Sequence, residues 1–325
     1  MSGMVRLHYV EAGSGPAVIF CHGFPEFWYS WRHQLEACAQ AGYRAIALDM
    51  RGHGQSDAPE RIEDYSVIHT VGDVIALMNS LEIGKAVIVG HDAGTTTAYH
   101  AALMRPDRFR AVVGLSVPYI PRSEKNILEA FAGNVPPGFY MQYFQQPGIA
   151  ESDLEADIET TLRRLFFANS GAYENGPIIM LAADSGLVAN LPDTGQPLPF
   201  LTAEELTEYV ACYRQTGFRG GLNGYRVFGQ NWELTAPWAN MALPVPTMFV
   251  GGTRDTVLHF PGFTEAAKSM GRHHLIDGAG HWVQMERAEM VNALLIDFLG
   301  CLPPPLRADQ SRQGRGYGLY SEHNA

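Results

Sequence analysis

Positive charge is scarce in this chain. Of its 325 residues, 23 are Lys or Arg against 34 Asp or Glu, a net charge of −11. A surface for nucleic acid or an anionic membrane needs clustered Lys and Arg, so neither partner is expected. Cysteine is scarce too. Cys21, Cys38, Cys212 and Cys301 stand far apart, form no CxxC pair and are too few for a disulfide scaffold. They read as reduced thiols of a cytoplasmic protein. No apolar run approaches the roughly 18 residues that a membrane helix needs. Met1–Glu11 lacks the basic start and apolar stretch of a secretory signal. No Walker loop, dinucleotide glycine pattern or HExxH pair occurs, so no cofactor and no metal is implied. What is present is an ordinary globular composition, 46% apolar and 18% charged. The length fits two units, or one α/β domain carrying an insertion.

Short apolar runs recur along the first 117 residues: Ala17–Cys21, Tyr43–Leu48, Ala86–Val89 and Ala111–Leu115. Segments of helical length separate them, near Trp31–Ala41, Thr70–Leu81 and Thr95–Met104. This rhythm predicts βαβ units and a parallel sheet. From Pro118 to Trp238 no strand-like run appears. Polar helical stretches such as Ser152–Phe167 and Thr202–Thr216 predict a mostly helical insertion. The rhythm returns with strands at Pro246–Val250 and His273–Ile276, and helices near Thr264–Ser269 and Ala288–Leu299. The expected organisation is a core of residues 1–117 and 239–300, a helical lid of 118–238, and an irregular tail of 301–325 rich in Pro and Gly.

Gly90-His91-Asp92-Ala93-Gly94 closes an apolar run and opens a helical one. This is the G-x-nucleophile-x-G elbow, a sharp strand-to-helix turn that needs glycine because the chain is tight there. The nucleophile position holds Asp92. A carboxylate is already ionised at pH 7 and can displace a leaving group at saturated carbon. The product is an ester, which an activated water can then hydrolyse. An Asp that merely caps a helix is the plainer reading, but the flanking glycines, with a base and an acid later in the chain, favour the elbow. That base is His281 in Gly280-His281-Trp282, which stands in the loop before the last helix. Its acid partner is expected at Asp255, after the strand Pro246–Val250, in the order nucleophile, acid, histidine. Asp277 is the rival, only four residues before His281. His22-Gly23-Phe24-Pro25 comes directly after the first strong strand, where the backbone N–H groups of Phe24 and Ala93 could hold an oxyanion.

Together these motifs resemble the epoxide hydrolase branch of the α/β-hydrolase fold, in particular the hydrolase domain of soluble epoxide hydrolases. The pieces are HGFPEFW (His22–Trp28), RGHGQS (Arg51–Ser56), GHDAG (Gly90–Gly94) and GHWVQ (Gly280–Gln284), within residues 5 to 300. The resemblance implies a mostly parallel central sheet flanked by helices, with a helical lid inserted. It also implies a small hydrophobic epoxide and water as reactants. Phe139–Gly148 and Gly217–Arg226 look like the family's two lid-tyrosine segments, placing Tyr140, rather than Tyr143, and Tyr225 as the phenols that clamp the epoxide oxygen. Trp28, Pro25 and Trp282 are candidate pocket residues, and Trp31 is assigned to the core. Three places depart from the family, one of them Gly94-Thr95-Thr96, where a second glycine is common. Ala93 stands where Trp is usual, and His53 replaces a frequent Tyr. The missing indole is expected to open volume beside Asp92.

A haloalkane or haloacid dehalogenase shares the fold and the Asp nucleophile. It needs a side-chain donor for the halide, such as a Trp or Arg after the nucleophile, and Ala93 supplies none. A non-catalytic binding protein would be expected to have lost one of Asp92, Asp255 and His281. A serine esterase is excluded as the main activity, because the elbow holds no serine. Monomer and homodimer both remain open.

Overall fold

The computed structural model describes residues 5–131, 139–174 and 186–303. The apolar runs form strands whose residues are buried on both faces, which is why they lack polar alternation. β1 (Tyr9–Ala12), β2 (Ala17–Cys21), β3 (Arg44–Leu48), β4 (Ala86–His91), β5 (Phe109–Leu115), β6 (Thr247–Gly252) and β7 (Arg272–Ile276) make one seven-stranded sheet. Its order is β1-β3-β2-β4-β5-β6-β7, parallel throughout except for β1 against β3. The sequence reading missed β1. Its four residues contain Glu11 and no apolar run, and its strand character comes from pairing with β3.

Between the strands lie α1 (Arg32–Gln40), α2 (Val67–Ser80) and α3 (Ala93–Met104). The expected start of the first helix at Trp31 is a 3-10 turn, Trp28–Trp31, before α1 begins. Between β5 and β6 the described residues form α4 (Ile127–Phe131), α5 (Tyr140–Tyr143), α6 (Ile149–Leu154), α7 (Ile158–Ala168), α8 (Leu187–Asn190), α9 (Ala203–Thr216), α10 (Arg219–Arg226) and α11 (Phe228–Leu234). The stretch Ser152–Phe167 is therefore two helices, α6 and α7. Asp157 interrupts it, because its carboxylate accepts from Thr160 N–H at 3.2 Å and caps α7. After β6 come α12 (Phe263–Ser269), α13 (Val283–Glu286) and α14 (Ala288–Gly300). Residues 304–325, most of the expected tail, lie outside the described residues.

The helical segment is fastened to the sheet half by aromatic packing and polar ties. Phe24 and Phe27 pack in one cluster with Phe139, Phe166, Tyr209, Phe218, Tyr225 and Trp282. Tyr209 and Ser30 share a hydrogen bond of 2.7 Å, Tyr213 donates to the Glu26 carbonyl at 3.1 Å, and Arg32 pairs with Glu205 at 2.7 Å. The order of the sheet reverses direction between β2 and β4, and ligands of such sheets bind beyond the strand ends at that point. The loops after β2, β4, β6 and β7 all open on this edge.

Candidate active site

The chain turns from β4 into α3 within one residue. Asp92 takes φ +48°, ψ −125°, a conformation that costs a side-chain-bearing residue energy and is held by its surroundings. The neighbours must be small. A Cβ on Gly94 would lie 2.2 Å from the Cys21 carbonyl oxygen, and one on Gly23 would lie 2.4 Å from Asp92 Cβ. The two loops therefore touch, with Asp92 as the residue that precedes α3.

His281 and Asp255 meet at this point. His281 Nδ1 lies 3.1 and 3.2 Å from the two Asp255 oxygens, and Nε2 lies 3.8 Å from Asp92 Oδ2. Asp255 is fully buried, and its Oδ1 also accepts from Val257 N–H at 2.9 Å. Burial opposes the imidazolium, but the carboxylates of Asp255 and Asp92 on either side outweigh it and hold His281 well above its ordinary value. Asp277 is exposed and takes a hydrogen bond from Thr253 instead. The structure thus brings Asp255, not the rival acid, to His281.

A polar network beneath the histidine was not read from the sequence. The His281 carbonyl accepts from Ser116 Oγ at 2.6 Å and pairs with His91 Nε2 at 2.8 Å. His91 Nδ1 lies 2.6 Å from Glu26 Oε2, which also accepts from Gly23 N–H at 2.9 Å; Gln284 donates to Glu26 Oε1 at 2.7 Å. Burial acts against the Glu26 charge, yet His91 and the other donors hold its carboxyl down to about 2. One buried carboxylate thereby ties the loop after β2 to the loop carrying His281. The signal was available: Glu26 sits inside an otherwise apolar HGFPEFW.

Two connected cavities flank Asp92, of about 210 and 80 Å³. Phe24, Asp92, Tyr140 and Tyr225 line both. The Tyr140 and Tyr225 rings are 6.2 Å apart between centroids. Burial first, and the Asp92 charge second, push both phenols above their usual range, so they stay protonated at neutral pH. Tyr143 points elsewhere, its hydroxyl donating to Asp153 at 3.1 Å. Ala93 lines the larger cavity and is exposed there; His281, Pro25 and Trp282 line the smaller. Trp28 is a correction: it lines neither. Its ring packs edge-on against those of Phe27 and Tyr29 instead, while its backbone N–H donates to Asp49 Oδ1 at 2.9 Å. Trp31 is fully buried. Among the described residues no cluster of three or more His, Cys, Asp or Glu side chains could hold a metal ion, and no helix is long and apolar enough to cross a membrane.

A strand-end carboxylate on a sharp turn into a helix, with an acid and a histidine from the loops after later strands, defines a class of protein. The chain belongs to the α/β-hydrolase fold family, whose sequence pattern matches residues 16–288. The particular relatives are epoxide hydrolases. Epoxide hydrolase A of Mycobacterium tuberculosis is 42% identical over 303 residues, covering 91% of this chain and 94% of that protein. Epoxide hydrolase 2 of Siraitia grosvenorii is 39% identical over 307 residues, covering 91% and 95%. Among solved structures, epoxide hydrolase A from Mycobacterium thermoresistibile matches with a TM-score of 0.86 at 44% identity, covering 92% of this chain and 96% of that one.

Proposed function

We propose that the protein hydrolyses epoxides to vicinal diols through an alkyl ester of Asp92. The observation that carries this reading is a carboxylate at the elbow, facing two protonated tyrosines across one cavity with a His–Asp pair behind it. In the first step an Asp92 oxygen attacks a ring carbon from the side opposite the epoxide oxygen. The C–O bond breaks toward that oxygen, which takes a proton from Tyr140 or Tyr225. Without that proton the leaving group is an alkoxide.

In the second step His281 Nε2 removes a proton from water as the water oxygen attacks Asp92 Cγ. Backbone N–H groups of Phe24 and Ala93 hold the oxyanion. The ester C–O bond breaks, the departing oxygen takes the proton from His281, and the diol leaves. Asp92 is left with the second water proton, which returns to the phenolate. Esterification removes the Asp92 charge, one of the groups holding a proton on His281. The imidazolium thus loses a carboxylate that kept it protonated and is more readily neutral when it must act as a base. Segment 118–238 serves as the lid that carries both phenols, and Pro25 and Trp282 shape the smaller arm of the pocket. The reactants are a small hydrophobic epoxide and water, with no cofactor, and the scattered cysteines suit a cytoplasmic enzyme.

The test is product release by the purified protein from matched epoxides, assayed for diol, and chloroalkanes, assayed for chloride. Diol without chloride is expected. Chloride without diol would assign the tyrosines a different role and the protein a dehalogenase activity.

A further inference from the structure

The larger cavity has both apolar and polar walls. Thr96 lies on α3 three residues beyond Ala93, about 4.5 Å along the helix axis and on the same face. It lines the cavity, and among the described residues its hydroxyl has no hydrogen-bond partner. Asn231, on α11, also lines it. Its Oδ1 accepts from Val67 N–H at 2.7 Å, and among the described residues its Nδ2 hydrogens have no acceptor. His53 completes the set. Its Nδ1 lies 3.2 Å from the Arg51 carbonyl, which can only accept, so Nδ1 carries the hydrogen and Nε2 a lone pair. That Nε2 is buried without a partner among the described residues, beside Gly221, another wall of the cavity. Buried polar atoms are rarely left so unless a ligand or water completes them.

Cations show a different pattern. Arg51 is the one Lys or Arg among the described residues lining the cavity, and Asp73 holds its guanidinium at 2.7 and 2.6 Å. Burial holds both lining imidazoles, His22 and His53, below their ordinary value and therefore neutral at pH 7. Asp92 adds a negative charge. A carboxylate-ended substituent would be buried here without a counter-ion.

Resting on the epoxide reading, we propose that Thr96, Asn231 and His53 form a subsite for an uncharged hydrogen-bonding group. The preferred substrates are then epoxides with a neutral hydroxyl on the longer substituent, and carboxylate-ended epoxides are disfavoured. A hydroxyl fits this set because it can accept from Asn231 and donate to His53 or Thr96.

The experiment measures kcat/KM for diol formation from three terminal epoxides of matched length, ending in methyl, primary hydroxyl or carboxylate, with the end about four carbons from the ring to match one helical turn. In a cavity without partners, a hydroxyl in place of methyl would cost roughly tenfold or more. Here the hydroxyl probe is expected to equal or exceed the methyl probe, with the carboxylate probe at least tenfold behind. Thr96→Val and His53→Phe are each expected to lower the hydroxyl-to-methyl ratio by roughly tenfold. Thr96→Val is nearly isosteric and decides the matter if His53→Phe folds poorly. A hydroxyl probe tenfold below methyl, a carboxylate probe equal to hydroxyl, or ratios unmoved in the variants would overturn the subsite while leaving epoxide hydrolysis intact. No diol from any probe would overturn the epoxide reading itself.

Discussion

Asp92 illustrates what one residue decides. A serine at the same strained turn would need His281 for attack itself; a carboxylate needs it only for release. The two steps can therefore be separated. His281→Gln is expected to form the alkyl ester and fail to hydrolyse it, so intact mass should rise by the mass of one substrate molecule. A variant with no adduct on an accepted substrate would refute this division of labour. In the proposed mechanism the phenols act at the earlier step. Tyr140→Phe with Tyr225→Phe should cut diol formation by at least about a thousandfold, the scale of losing general-acid and oxyanion help together. Circular dichroism should stay unchanged, because the rings remain. Normal turnover would remove the clamp from the mechanism. Asp92, Asp255 and His281 were legible because each ends or follows a strand in a fixed order. The Glu26–His91 network was not, because its members meet only when the β2 and β4 ends are paired. The place of Trp28 was not legible either, because its ring is taken up by packing against Phe27 and Tyr29 rather than by the pocket.

At the scale of the element, α3 sets both chemistry and pocket shape. Its first residue supplies the backbone at the elbow, and its Ala93, Thr96 face forms one wall of the larger cavity. A wider side chain at position 93 leaves the N–H in place and takes volume from the cavity. Ala93→Trp is expected to lower kcat/KM for bulky epoxides by tenfold or more while sparing small ones, since an indole cannot share about 210 Å³ with a large substituent. Unchanged turnover of a bulky substrate would show that Ala93 does not bound the pocket. The central strands were readable because burial on both faces leaves an unbroken apolar run. β1 lacked such a run, since an edge strand shows one face to solvent. The division of Ser152–Phe167 depended on a cap, Asp157, inside a stretch whose composition is helical throughout.

At the scale of the whole molecule, three distant segments converge on His53. Its ring stands edge-on to His22, with centroids 4.9 Å apart, and its Nε2 faces Gly221 on α10. The loops after β2 and β3 and the helical segment therefore share one uncharged junction. Burial, with the neighbouring His22 second, holds the His53 pKa down to about 3, against 6.5 in an unfolded chain. Between those values the unfolded chain binds a proton that the folded one refuses. Stability therefore falls as pH drops below 6.5, by up to about 1.4 kcal/mol per pH unit for this group. Glu26 adds to the loss below 4.5, because its folded carboxyl is held down to about 2. His281 works in the other direction. Its raised folded value gives stability that is full below 6.5 and disappears as pH climbs through it. Removing the titrating ring at position 53 isolates its share. Urea unfolding at pH 7 and pH 5 should show the wild type losing up to about 2 kcal/mol more than His53→Phe over that interval. General charge effects of acidification are common to both proteins and drop out of the difference. Equal losses would mean that His53 titrates as it does in the unfolded chain, and that the junction between sheet and helical segment tolerates a buried positive charge.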